Sequence, residues 1–227
     1  MWKLLQKIYP FYLERRCTHK RFMMSKQSLR ELKKEATGHA LADAAFELAI
    51  DRGLDGFTVD DIVQRAVYSR RTFANHFSCK EEAVATAALT FKSTKEAEDL
   101  IGDMSENTPL LDMLYHMMKM QMTADHFWKM RKLVSLSRRN PTLVPYILSA
   151  LQRLKKSAQQ ILTELSHGRY SNEHIHLLVG AVYGAIQPLY DGSLDVSLPG
   201  ESASETSEAI SYEQYVDTIF NYLRNGF

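Results

Sequence analysis

Apolar positions recur at helical spacing along most of this chain, and the breaks between periodic stretches are short. Leu41, Ala44, Ala45, Leu48 and Ala49, with Phe46 beside them, give one face of a helix over 28–52. Gly53 follows its last turn and suits a left-handed C-terminal residue. A two-turn helix starts after Thr58: Thr58-Val59-Asp60-Asp61 reads as a capping box, and Val59, Ile62, Val63 and Ala66 supply its buried face. Val67-Tyr68-Ser69 forms a turn, and Ser69 caps a third helix. Phe73 and Phe77 lie four apart on that helix and anchor it inward. The next helix runs from Lys80 to about Leu100. Thr108-Pro109 opens another to about Ala124, and further helices cover 126–139 and 142–166, the latter closing at Gly168. Residues 172–190 form a strongly apolar helix, residues 191–208 a polar loop, and Ser211-Tyr212-Glu213-Gln214 a capping box for a last helix ending near Asn225-Gly226. The expected fold class is all-α.

Composition narrows the function classes. Of 227 residues, 45% are hydrophobic and 24% charged, as in ordinary globular proteins. The net charge of +1 conceals an asymmetry: residues 1–80 hold 15 Lys/Arg against 9 Asp/Glu, and residues 81–227 hold 13 against 18. A basic head on an acidic body suits a polyanion-binding module joined to something else. Cys17 and Cys79 make no disulfide framework, no apolar run approaches membrane-spanning length, and the N-terminus does not read as a signal peptide, so the expected location is cytoplasmic. Residues 1–27 read as a basic N-terminal extension outside the core fold; a basic arm reaching DNA is the functional alternative.

The sharpest chemistry is Arg70-Arg71 in a first helical turn. Arginine reaches guanine O6 and N7 as a fork in the major groove, and Thr72 and Asn75 can serve a base edge or a phosphate. Positive charge opposes the helix dipole there, which argues for an outside partner. Ala42-Asp43-Ala44-Ala45-Phe46-Glu47-Leu48-Ala49, Phe57-Thr58-Val59-Asp60-Asp61-Ile62, Ser69-Arg70-Arg71-Thr72-Phe73-Ala74-Asn75-His76-Phe77 and Cys79-Lys80-Glu81-Glu82-Ala83-Val84 follow in order. Together they resemble the DNA-binding domain of the tetracycline-repressor (TetR) family of bacterial regulators. The resemblance implies an N-terminal helix-turn-helix domain over 28–79 and a C-terminal effector-binding and dimerisation domain over 80–227. It also implies DNA-facing roles for Thr58, Ser69, Arg70, Arg71, Thr72, Asn75 and His76, with Lys80 on a phosphate. Three positions depart from the family pattern: Val67 stands for the usual turn glycine, Ala74 where an aromatic is common, and His76 where tyrosine is common.

The same resemblance assigns the last two long helices to a homodimer interface, with Gly180, Gly184, Tyr215, Ile219, Phe220 and Leu223 as its candidates. Internal core packing within one subunit is the alternative. Seven of the ten methionines fall in 104–130. Methionine suits adaptable apolar pockets, and the resemblance puts an effector pocket here, so Met113, Met117, Met120, Phe127, Trp128 and Tyr183 are its candidate lining; core filling is the alternative. The expected partners are an operator duplex, a second copy of the chain and an unidentified, largely apolar effector. No cofactor, metal or catalytic residue is expected: Glu164/His167 and Glu173/His176 both fit Glu-x-x-His, but lie too close in sequence to face each other across a di-iron bundle. The alternatives are a helical metal-binding or enzymatic bundle, or a regulator that needs no effector.

Overall fold

The computed structural model describes residues 29–88, 108–194, 196–198 and 210–226. The basic extension at 1–27, the later part of the helix expected to reach Leu100, Met104 and most of the 191–208 loop lie outside the described residues. The chain divides into two compact units, residues 1–103 and 104–227.

The first unit contains α1 (Leu29–Arg52), a 3-10 turn (Leu54–Gly56), α2 (Val59–Ala66), α3 (Arg70–Ala74) and α4 (Lys80–Ala88). The apolar stripe of α1 is buried as its spacing predicts, with Leu41, Ala45, Leu48 and Ala49 almost fully enclosed. It packs along α4, whose Ala83, Val84, Ala85 and Ala87 are buried too. The sequence expectation opened the second domain at Lys80. Instead α4 finds the partner for its alanine face in α1, and the division falls between residues 103 and 104. Leu54, Phe57, Ile62, Val63, Phe73 and Phe77 complete this core.

Local signals fix the joints. Gly53 ends α1 at φ 74°. The capping box of Thr58 and Asp61 starts α2, and the Ser69 side chain starts α3 by accepting from the Thr72 amide at 3.0 Å. Helix α3 is five residues long, shorter than the span to Phe77 that the sequence suggested. The chain nevertheless makes a further turn, with His76 and Phe77 amides both donating to the Phe73 carbonyl at 2.9 Å, so Phe77 still faces inward.

The second unit contains α5 (Leu110–Gln121), α6 (Ala124–Arg139), a 3-10 turn (Pro141–Leu143), α7 (Val144–Leu165), α8 (Asn172–Asp191), β1 (Val196–Ser197), β2 (Ile210–Ser211) and α9 (Tyr212–Asn225). Thr123, Ser171 and Ser211 cap α6, α8 and α9, each accepting an amide two or three residues into the helix. The final capping box is formed as the sequence indicates, with Ser211 N–H donating to Gln214 Oε1 at 3.0 Å. Strands β1 and β2 form a two-residue parallel pair that hydrophobic patterning had not signalled; two residues are too short to show a period. Its core joins the methionines to an aromatic group: Phe127 meets Tyr212 at 4.8 Å and Tyr190 at 5.9 Å between ring centroids. Among the described residues no helix is long and apolar enough to cross a membrane.

Candidate nucleic-acid interface

Helices α2 and α3 and the turn between them carry the residues expected to face DNA. Thr58 holds the entry to α2: its amide donates to Asp61 Oδ2 at 2.8 Å and its hydroxyl to the same oxygen at 2.7 Å. These two bonds, aided by Arg52 at 3.3 Å, hold the Asp61 carboxyl below its usual pKa. Ser69 and Thr72 share a hydroxyl hydrogen bond of 2.8 Å. Both hydroxyls are thus oriented before any partner arrives.

The adjacent arginines differ. Arg70 is exposed, yet its Nε and Nη2 both donate to the carboxylate of Asp60, on α2. This hydrogen bonding is the main reason the Asp60 carboxyl titrates below its usual range. Arg71 is also exposed, and among the described residues its side chain has no hydrogen bond or ion pair. Arg65 does not add to the basic surface, because it pairs with Asp51 at 3.3 Å and Glu47 at 3.5 Å on α1. Of these cations Arg71 alone is uncommitted. The sequence showed two equivalent arginines; the Asp60 partner lies ten residues from Arg70 and no short motif links them.

Two residues expected to face DNA, Lys80 and His76, also make contacts within the first unit. The Lys80 ammonium donates to the carbonyls of Leu54 at 2.7 Å and Phe57 at 3.0 Å, and sits 5.0 Å from the Phe57 ring centroid. An ammonium has three N–H groups, so one is left for an anion. Lys80 is first a clasp between α4 and the 3-10 turn. The His76 ring lies over Gly38 of α1: a Cβ built on Gly38 would stand 3.1 Å from His76 Nδ1. Burial, with help from the Lys34 ammonium, lowers the His76 pKa and favours the neutral ring. Asn75 is the exposed C-cap of α3 and Ala74 is exposed beside it.

The turn carries the sharpest departure from local rules. Val67 adopts φ 59°, ψ 46°, the left-handed region, and closes α2 by donating its amide to Gln64 O. A β-branched residue there costs about 1–2 kcal/mol relative to glycine. Its side chain is 86% exposed, and the neighbouring Tyr68 is 40% exposed.

In the second unit the candidate lining separates. Met113, Met117, Phe127 and Tyr183 are buried and Met120 is half-buried, whereas Trp128 is 48% exposed with the Lys132 ammonium 5.9 Å from its ring centroid. Trp128 is therefore a surface residue, displaced from the interior because its neighbour Phe127 takes the inward face of α6. Sequence reasoning passed over His126, Tyr190, Tyr212 and Gln121. His126 Nε2 lies 3.0 Å from the Tyr190 hydroxyl, which contacts Met122 Sδ at 3.3 Å. Burial lowers the His126 pKa to about 4. Gln121 Oε1 and Tyr212 Oη are buried with no hydrogen-bond partner among the described residues.

The dimer candidates separate as well. Gly180 and Gly184 are exposed, and a Cβ on either would meet nothing within 4 Å. Leu177 on the same helix is 77% exposed and Tyr222 on α9 is 48% exposed. Ile219 and Phe220, however, are buried inside the unit, where Phe220 packs on Tyr115 at 4.9 Å. Tyr215 is half-buried and donates to Ala185 O at 2.9 Å, and Leu223 is half-buried. The broad apolar face of α9 thus serves the subunit core first. Among the described residues no group of three or more His, Cys, Asp or Glu is placed to hold a metal ion.

Residues 41–86 match the family described as bacterial regulatory proteins, tetR family. Among solved structures, one from Mesorhizobium loti MAFF303099, assigned to the TetR family of transcriptional regulators and determined at 1.54 Å resolution, is similar over 83% of this chain and 95% of its own, with 16% sequence identity and a TM-score of 0.45. No curated protein matches the sequence.

Proposed function

We propose that this chain, whose residues 41–86 match the TetR family of bacterial regulatory proteins, is a ligand-responsive repressor that binds a palindromic operator as a homodimer. The observation that carries the DNA-facing part is the exposed, uncommitted guanidinium of Arg71 on a helix whose turn, cap and hydroxyls are already fixed. Arg71 reads a guanine edge as a fork. Asn75 serves a base or phosphate beside it, Ser69 and Thr72 the backbone, and Thr58 a phosphate at the start of α2. Arg70 joins once DNA competes successfully with Asp60. His76 contributes a neutral N–H, and Lys80 its third N–H.

A twofold dimer is the arrangement by which one short helix per subunit reads two half-sites a helical turn apart. The bare face of α8 at Gly180 and Gly184, with Leu177 and Tyr222, supports such a contact. The effector reading rests on Gln121 Oε1 and Tyr212 Oη, each buried with no hydrogen-bond partner among the described residues, in a unit rich in methionine. A buried polar atom without a partner costs about 1–3 kcal/mol, so a largely apolar ligand that offers it a hydrogen bond is favoured. A ligand that prefers the dimer with its recognition helices misspaced releases DNA by that difference in affinity.

The test is selection of duplexes from a random pool by the purified protein, followed by binding titrations across salt. The expected product is an inverted repeat bound with a steep salt dependence. Enrichment of no sequence and binding insensitive to salt would refute the reading. A thermal-shift screen of apolar small molecules tests the effector, since a specific ligand raises the melting temperature by mass action.

A further inference from the structure

Val67 holds a conformation that costs free energy, and its side chain gives nothing back within the protein. At 86% exposure it packs on almost nothing, although glycine would adopt the same φ of 59° without strain. Tyr68 follows, also exposed, and then come the cap Ser69 and the uncommitted Arg71. Strain retained without a compensating contact points to a contact made outside the folded chain. The surface around the turn selects the partner: Arg71 supplies an unpaired positive charge, and Ser69 and Thr72 supply fixed hydroxyls. We propose that the Val67 and Tyr68 side chains pack on the apolar parts of bound DNA, either a thymine 5-methyl group or a deoxyribose face, at the edge of the half-site that Arg71 reads.

This inference rests on the DNA-binding reading and adds to it a contact that no cation or hydroxyl supplies. Base edges and phosphates are polar, and a polar residue in the turn would serve them better. Thymine methyls and sugar carbons are the apolar surface a duplex offers to valine. The left-handed backbone turns the isopropyl group outward, which a glycine turn could not exploit. An apolar contact of this kind releases no counterions, so it adds affinity without steepening the salt dependence.

The experiment compares the full-length wild type with Val67→Gly and Val67→Asn on the best duplex selected from a random pool. Deoxyuridine replaces thymidine one position at a time, which removes single methyl groups. Val67→Gly is expected to melt about 2–4 °C higher, through relief of strain, and to bind roughly tenfold more weakly, the scale of two buried methyl groups. Plots of binding against salt should remain parallel. Val67→Asn, which tolerates the left-handed region but has no methyls, should bind as weakly as Val67→Gly. If the loss vanishes at one deoxyuridine position, the contact is a thymine methyl; if it persists at all of them, it is sugar. Wild-type affinity in Val67→Gly would overturn the inference. So would wild-type affinity restored by Val67→Asn, since the glycine loss would then come from a loosened turn. A lower melting temperature in Val67→Gly would also overturn it, by showing that the valine already stabilises the free protein. If the wild type and Arg71→Ala bind every duplex alike and without salt sensitivity, the DNA reading itself fails.

Discussion

The Arg70 guanidinium is forked onto the Asp60 carboxylate, joining the first turn of α2 to the first turn of α3. Free protein therefore holds one of the two arginines proposed to face the groove against an internal anion. Asp60→Asn removes that competitor. The variant is expected to bind arbitrary duplexes more tightly, with the salt slope steeper by about one phosphate contact. Anisotropy titrations on unrelated duplexes check this, and an unchanged slope would mean that Arg70 never exchanges Asp60 for phosphate. Because Arg70 lowers the Asp60 pKa, this contribution to stability is complete above the unfolded carboxylate value near 3.8 and is lost only as pH falls through the still lower folded value. The fork does not switch near neutral pH.

Arg71→Ala removes the uncommitted guanidinium. Binding to the selected duplex should weaken by about 1–3 kcal/mol, and discrimination at one guanine should blur. Comparing wild type and variant across single-base changes of that duplex locates the guanine. Full retention of discrimination would place Arg71 away from the groove.

Lys80→Met keeps the length of the side chain and deletes two hydrogen bonds from a charged donor. Hydrogen bonds to charged groups contribute about 1.5–3 kcal/mol; Lys80 is partly exposed, so a total loss of about 1–3 kcal/mol is expected. Urea unfolding followed through the first unit reads it. A midpoint equal to the wild type's, together with a flatter salt dependence of DNA binding, would return Lys80 to the simple phosphate role its sequence position suggested.

His126 gives the second unit an acid sensitivity. Its folded pKa of about 4 lies below the ordinary histidine value of 6.5 because burial disfavours the charged ring, outweighing the nearby Asp125; Lys129 pushes the same way as burial. Between those values the unfolded chain binds more protons. The contribution is thus complete above pH 6.5 and fades as pH falls toward 4, by up to about 3 kcal/mol. Urea midpoints should decline from pH 7 to pH 5 in the wild type and decline less in His126→Phe. Equal slopes would place the titrating group elsewhere.

Gly184→Phe tests the α8 face. A Cβ there meets nothing within 4 Å and the position is exposed, so folding should persist while a close helix pair in a dimer is pushed apart. Sedimentation should show wild-type dimers and variant monomers with unchanged helical content. A variant that remains fully dimeric would move the interface off this face.

Much of the first unit is legible from local rules, because its signals are short. Capping residues, helical periodicity and the Phe73–Phe77 spacing each act within four residues. The roles of Arg70, Lys80 and His76 were not legible, since Asp60, Leu54, Phe57 and Gly38 reach them only through the fold. The same holds for α9, where spacing revealed an apolar face but not which partner it meets: Phe220 finds Tyr115, and no periodicity distinguishes that from a second subunit. Trp128 and Phe127 are adjacent and both aromatic, and only the rotation of α6 decides which one is enclosed.

The closeness of Gly38 to the His76 ring bears on sequence change. Alanine at 38 would stand 3.1 Å from the ring, so the ring must give by a few tenths of an ångström unless position 76 is smaller too. In lineages that keep the bulky ring, the glycine in the middle of α1 should persist despite its poor helix propensity. A small residue at 38 and a bulky ring at 76, on separate helical segments, thus depend on each other for room.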